Sequence, residues 1–203
     1  MRILALSTAS PALSLALFDD GTLIARTHDI IGRGHAEALM PAIARLLGEG
    51  RADPIYADAI RTDAIIVDIG PGSFTGIRIG IAAARALGLA WDVPVTGCTG
   101  AALIAAQAFA LQPQASAVTV LLNAGRGQIL RHVITRDFSA GPIETVCAID
   151  IAAGEVSAGA MAPPGAVHHG QPDAGFALHL PLGCRDLRPL ALYIRPPDAV
   201  LPL

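Results

Sequence analysis

Gly70-Pro71-Gly72-Ser73-Phe74-Thr75-Gly76-Ile77-Arg78-Ile79-Gly80 is the stretch on which the fold turns. Before it runs Ala64-Ile65-Ile66-Val67, a short apolar, β-branched segment that reads as a buried strand. After it comes Ile81-Ala82-Ala83-Ala84-Arg85-Ala86-Leu87-Gly88-Leu89-Ala90, rich in helix-forming alanine. A strand therefore feeds a glycine turn that opens a helix. Gly70 and Gly72 permit backbone angles that other residues resist, and the Ser73 hydroxyl suits an N-cap. The glycines at 70, 72 and 76 are spaced one residue too long for G-x-G-x-x-G, and no lysine follows Gly76 as a Walker loop requires. A helix start attracts anions through its free amides, so Gly72 and Ser73 are candidates for an anion or nucleotide remnant. A tight strand-to-helix turn without a ligand accounts for the same residues.

The helix after the turn is apolar on two sides: Ile77, Ile81, Ala84 and Gly88 near one face, Ile79, Ala83, Ala86 and Ala90 near another. Such a helix is buried on two sides. Gly80 and Gly88 together cost roughly 2 kcal/mol of helix stability relative to alanine, and close backbone approach is what offsets such a cost. Either the chain covers both sides itself, or one side faces another subunit.

The rest of the chain is an α/β alternation. Residues 3–7, 12–18 and 22–27 read as strands, with a hairpin turn at Asp19-Asp20-Gly21. A helix follows over about 34–48, with Leu39, Ile43 and Leu46/Leu47 on one stripe and Gly48 and Gly50 near its end. Pro41 marks either a kink or a start nearer Ala38. Next come a strand at 63–68, the helix to about Ala90, a strand at 94–96 and a helix at 99–109. Residues 110–116 read as a linker, and 117–122 and 128–134 as paired strands about a loop at 123–127. Proline, glycine and alanine dominate 150–190, where no element is assigned. The pattern predicts two α/β lobes, residues 1–110 and a smaller 111–203, each a mixed sheet flanked by helices.

Composition narrows the function. Hydrophobic residues make up 53% and charged residues 15%, which supports a substantial core. Fourteen basic against seventeen acidic residues, with 4% aromatics, describe a poor independent nucleic-acid binder. Cys98, Cys147 and Cys184 share no ligand spacing and read as free thiols of a reducing compartment. The apolar start is broken by Ser7, Thr8, Ser10 and Pro11, which argues for a strand over a signal peptide. With no run approaching about 18 apolar residues, no membrane span is expected and the cytoplasm is the default compartment. No metal site is expected: His168-His169 lies beside Gly170 and Pro172 in a loop, His35 has leucine four residues on, and no H-E-x-x-H occurs. Ser73 is outside any G-x-S-x-G frame.

These motifs resemble the family of TsaB, tRNA threonylcarbamoyladenosine biosynthesis proteins once labelled glycoprotease-like peptidases. The opening strand with Ser7-Thr8-Ala9, the segment Gly34-His35-Ala36-Glu37-Ala38-Leu39-Met40-Pro41-Ala42-Ile43, the stretch Gly70–Gly80 and the segment Ala191-Leu192-Tyr193-Ile194-Arg195 carry the resemblance. It implies a two-lobed actin-like, hexokinase-like (ribonuclease H-like) fold. It also implies a non-catalytic subunit that heterodimerises with the catalytic protein TsaD, with the ATPase TsaE completing the assembly and tRNA met only through it. A homodimer of the isolated chain is compatible with the family's pattern. The family's contacts use the first two helices, here about 35–49 and 74–90, which nominates Leu39, Ile43, Ile77, Arg78, Ile81, Ala84 and Gly88 as partner-facing. On that assignment Ile81→Asp abolishes association and leaves the monomer folded. Arg78 reads either as a solvated charge or as half of an ion pair with the partner.

Actin-like phosphotransferases, and many members of the family it resembles, carry an aspartate where Ser7 stands, and members of that family often carry one where Asn123 stands. Ser7, Thr8 and Asn123 are thus at most remnants of a nucleotide site. Without carboxylates at 7 and 123 the chain offers little to orient Mg²⁺ on a nucleotide. A scaffold that needs no cofactor, with room for weak vestigial nucleotide binding, is favoured over a stand-alone ATPase or phosphotransferase.

Overall fold

The computed structural model describes residues 1–49, 61–125, 127–147 and 155–194; Gly50 and Arg195, named above, and position 126 of the expected loop lie outside them. Strands β1 (Arg2–Ser7), β2 (Ala12–Asp19), β3 (Thr22–Ile30), β4 (Ala64–Asp68) and β5 (Val95–Cys98) form one sheet, in the order β3-β2-β1-β4-β5. The β1–β2 and β2–β3 pairs are antiparallel; β1–β4 and β4–β5 are parallel. Asp20 and Gly21, at φ of 46° and 80°, make the tight turn between β2 and β3. The parallel pairings need crossovers, which α1 (His35–Glu49) and α2 (Phe74–Trp91) supply. α3 (Gly100–Leu111) then leads to a second sheet of order β8-β7-β6-β9, built from β6 (Ala117–Gly125), β7 (Gln128–Thr135), β8 (Ala140–Val146) and β9 (Ser157–Ala158).

Alternation along the strands sets the layers. Leu4, Leu6, Leu15, Leu17, Ile65 and Val67 face α1 and α2, while Ile3, Ala5, Ala16, Phe18 and Ile66 face the opposite side. That opposite side is covered by Ala102, Leu103 and Ala106 of α3, together with Ala174, Ala177 and Leu180. The other side of α3, through Ile104, Ala105, Ala108 and Phe109, packs on Val118, Val120, Leu122 and Leu130 of the second sheet. The layer order is α1/α2, first sheet, α3, second sheet.

Several elements depart from the sequence expectations. β3 runs on to Ile30, and α1 starts at His35 with Pro41 inside it. The His35 imidazole lies 3.2 Å from the Ala12 carbonyl and ties the start of α1 to β2; Pro41 sits on the exposed side, where solvent serves the carbonyl that proline cannot. The loop expected at 123–127 is partly strand, since β6 continues to Gly125 across a register shift. Within 150–190, where the sequence assigns no element, lie β9, a 3₁₀ turn at Ala174–His179 and the short α4 (Leu182–Arg185). The boundary expected after residue 110 is also crossed. The 3₁₀ turn packs on the first sheet, and the strap 185–194 runs along the first lobe. Gly97 and Leu187 exchange backbone hydrogen bonds, and the Leu192 amide donates to the Ile69 carbonyl at 2.8 Å.

Candidate functional site

A cleft of about 1050 Å³ lies between the two lobes. One wall is the glycine turn Pro71–Gly76 and the start of α1 from Gly32 to Glu37; the other includes Leu122, Asn123, Ala124 and Met161. Gly72, Ser73 and Asn123, nominated from sequence, meet in this cleft. Ser7 and Thr8 do not. Both are buried below its floor, where the Ser7 hydroxyl donates to Asp68 at 2.7 Å and the Thr8 hydroxyl to the Gly76 carbonyl at 2.7 Å. The correction is geometric: β1 ends inside the sheet layer, so the residues at its tip serve the glycine turn instead of a ligand.

Those bonds explain the glycines. A Cβ on Gly72 would stand 2.0 Å from the Ala9 carbonyl oxygen, and one on Gly76 2.0 Å from the Thr8 carbonyl oxygen. A Cβ on Gly80 would meet the Thr8 hydroxyl at 2.6 Å, and one on Gly88 a Val95 methyl at 2.4 Å. The notched face of α2 thus receives the β1–β2 turn and β5 of its own chain. Ser73 caps α2 as expected, accepting from the Gly76 amide at 3.2 Å while its own amide donates to the Ala9 carbonyl at 2.7 Å.

Asp68 escaped the sequence reading. It closes β4 at 1% exposure and accepts from Ser7 and from the Gly70 amide at 2.9 Å, while the Gly100 amide nearby donates to the Gly70 carbonyl at 3.2 Å. Burial raises its pKa to about 6 despite these donors. The available signal was a lone carboxylate ending an apolar strand. Arg26 and Asp173 also went unread: the Arg26 guanidinium pairs with the buried Asp173 carboxylate, which accepts from the Gly175 amide at 2.9 Å. Ser14 and His28 join this cluster, with the His28 Nδ1 3.0 Å from a Ser14 hydroxyl that is itself buried. His168 is half-buried, its pKa lowered chiefly by burial, and His169 is exposed. Among the described residues no group of three or more His, Cys, Asp or Glu side chains could hold a metal ion.

The nominated partner-facing residues need correction. Leu39, Ile43, Ile77, Ile81 and Ala84 belong to the core between the first sheet and the two helices, and Gly88 is buried with them. Their periodicity marks the inward stripe. What α1 and α2 turn outward is Met40, Ala44, Ala82, Ala86 and Leu89, the last 87% exposed. Arg78 is the one nominated residue on the outside; it is not simply solvated, and among the described residues it pairs with no carboxylate. Its guanidinium lies 3.7 Å over the Phe74 ring and its Nε donates to the Tyr193 hydroxyl at 2.8 Å. The Phe74 and Tyr193 rings are 4.9 Å apart, so the strap and the start of α2 clasp one another.

Two α/β lobes thus stand about a cleft, with a glycine turn at the head of a crossover helix. Residues 28–155 match the family described as TsaD, tRNA N6-adenosine threonylcarbamoyltransferase. Among curated proteins, the tRNA threonylcarbamoyladenosine biosynthesis protein TsaB of Escherichia coli is 33% identical over 68% of this chain and 56% of its own length. Its Bacillus subtilis counterpart is 31% identical over 64% of this chain and 53% of its own. The solved structure of YeaZ from Pseudomonas aeruginosa superposes with a TM-score of 0.74 at 25% identity, over 95% of this chain and 99% of that one. The chain belongs to the TsaB family, within the group that the threonylcarbamoyltransferase description covers. It spans about half the length of the curated relatives it matches. Among the described residues, no helix is long and apolar enough to cross a membrane.

Proposed function

We propose that this chain is a non-catalytic subunit of the machinery that makes threonylcarbamoyladenosine in tRNA, and that it acts by pairing with the catalytic protein TsaD through the outward side of α1 and α2. The observation that carries the reading is the exposed set Met40, Ala44, Ala82, Ala86 and Leu89, an alanine-rich apolar surface on two helices whose other side packs on the first sheet. Alanines give up no side-chain entropy when covered and let a second pair of helices approach closely. The relatives' names and the family match support the pathway. A net charge of −3 supports tRNA being held by the rest of the assembly, which TsaE completes. A second copy covering the same surface would give a homodimer of the isolated chain.

No cofactor is required in this reading. The Ser7 hydroxyl is engaged with Asp68, and the Asp68 carboxylate sits below the cleft floor. Such a cleft is poorly equipped to orient Mg²⁺ on a nucleotide. The test is co-purification with the TsaD of the same organism, comparing the native chain with Ala86→Asp, alongside the threonylcarbamoyladenosine content of tRNA. Position 86 is exposed, so the variant keeps its circular dichroism while losing the complex and the modification. Undiminished association would remove the assignment. Magnesium-dependent ATP turnover by the isolated chain would favour a stand-alone ATPase instead.

A further inference from the structure

Beside this alanine-rich surface, α2 and the C-terminal strap enclose a groove of about 320 Å³, with Arg78 and Arg85 on its helix side and Ile81, Ala82, Leu190 and Ala191 among its apolar lining. We infer that this groove docks an acidic protein segment of the partner, with two carboxylates about 10 Å apart flanking one apolar side chain. The inference rests on the partner-subunit reading above and adds the chemistry of the surface that α2 meets.

Three observations carry it. Arg78 and Arg85 are seven residues apart, two turns along one side of the helix, which at 1.5 Å per residue separates them by about 10 Å. Both are held by the strap: Arg78 by the Tyr193 hydroxyl, with Phe74 of α2 beneath its guanidinium, and Arg85 by the Pro189 carbonyl, which accepts from its Nη2 at 2.8 Å. A guanidinium fixed in this way loses less rotamer entropy on binding than a free one. Neither pairs with a carboxylate among the described residues, whereas Arg2, Arg26 and Arg131 each do. Two pre-set forks with unused N–H donors suit carboxylates, which they can grip bidentately.

The lining selects the class of partner. Leu190 is 54% exposed, and together with Ala82 and Ala191 it offers an apolar seat between the two charges. An apolar side chain of a protein fills such a seat. A nucleic-acid backbone does not, and it would want a broad basic field, which a chain of net charge −3 and pI near 6.0 lacks.

The experiment is calorimetric titration of the full chain with the TsaD of the same organism at about 50 and 300 mM salt, where screening differs strongly. Arg85→Glu, Arg78→Glu and Tyr193→Phe are compared with Arg61→Glu, an exposed arginine ahead of β4 that makes the same change in net charge. Arg85→Glu is expected to weaken binding by about ten-fold or more at low salt, and to flatten the salt dependence. Arg78→Glu follows suit, Tyr193→Phe loses a few-fold by unfixing Arg78, and Arg61→Glu stays near the native value. Native-like affinity in both charge reversals overturns the inference and leaves the partner assignment standing. Equal losses in Arg61→Glu overturn it as well, since only the overall field would then matter. If the native chain itself fails to bind, the partner reading falls first and the inference with it. Loss of tRNA crosslinking with protein affinity intact would assign the two arginines to nucleic acid and overturn the proposal.

Discussion

Helices α2 and α3 are built from nearly the same vocabulary, alanine and glycine spaced by a few large apolar residues, yet they live in opposite surroundings. Every residue of α3 from Gly100 to Phe109 is buried, because the helix is sandwiched between the two sheets. Its one polar side chain, Gln107, spends its amide on the Leu103 and Gln171 carbonyls. α2 buries only one side, and its opposite side carries Arg78 and Arg85. Apolarity alone therefore does not announce a missing partner. What separates the two helices is where the charges fall, and small residues lying exposed between arginines are the informative pattern.

The sharpest way to break this contrast is to fill a notch. Gly76→Ala places a methyl against the Thr8 backbone carbonyl, which has no flexible end to move. A loss of about 3 kcal/mol or more in a denaturant titration is expected, since one face of α2 must leave the β1–β2 turn. Native stability in that variant would mean that the glycine face is not the close contact described. Ile81→Asp belongs to the same class. With Ile81 only 7% exposed, the substitution buries a carboxylate in the first-lobe core and is expected to unfold the lobe, so it cannot report on association alone.

A matched pair of enlargements comes next in size. Ala105→Leu on α3 overpacks a site that is 0% exposed and should cost about 1–3 kcal/mol. Ala86→Leu on α2 adds the same atoms to an exposed position and should leave monomer stability within about 0.5 kcal/mol, while impairing the TsaD complex. Thermal melts and co-purification of the two variants read both halves. Equal destabilisation would erase the distinction between the helices.

Much of this architecture is legible in the residues. The strand–turn–helix at 64–91 stands out because three signals coincide: a β-branched run, a glycine turn with a capping serine, and an alanine helix. The antiparallel pair 117–135 is equally plain from alternation. The site is legible only in part. Gly72, Ser73 and Asn123 do reach the cleft, because turn chemistry is local. Ser7 and Thr8 do not, because their depth depends on how far β1 penetrates the layer. The partner-facing residues are misread for a similar reason: a 3.6-residue period shows which side of a helix is apolar but not what covers it. Tyr193 and Arg78, 115 residues apart, meet through the strap, β9 pairs with the distant β6, and the 3₁₀ turn holds its place against β2 and α3. Local propensity carries no trace of such contacts.

The smallest effect concerns the residue that ties the two helices together. Asp68 accepts from Ser7 and from the Gly70 amide, at the head of the turn into α2, and the Gly70 carbonyl in turn accepts from the amide of Gly100, the first residue of α3. Cys98 also faces Asp68, a thiol kept neutral because burial and then the Asp68 charge push its pKa up. The folded pKa of Asp68, raised from 3.8 to about 6 chiefly by burial, makes the protonated acid the form that the fold prefers. Its contribution to stability is therefore fully present below pH 3.8 and is lost as the pH rises through about 6. By pH 7.5 the loss approaches about 3 kcal/mol, since each tenfold change in proton affinity is worth about 1.4 kcal/mol. Asp68→Asn keeps an acceptor for the Gly70 amide and offers a donor to the Ser7 oxygen, but its neutral carbonyl is a weaker acceptor than a carboxylate. A gain of about 1–2 kcal/mol at pH 7.5 is expected, shrinking towards zero near pH 4. Urea titrations of both proteins across this range decide the matter. If the native chain instead gains on the variant as the pH rises, the donors to Asp68 outweigh desolvation, and the junction between α2 and α3 is held by a carboxylate that prefers its charge.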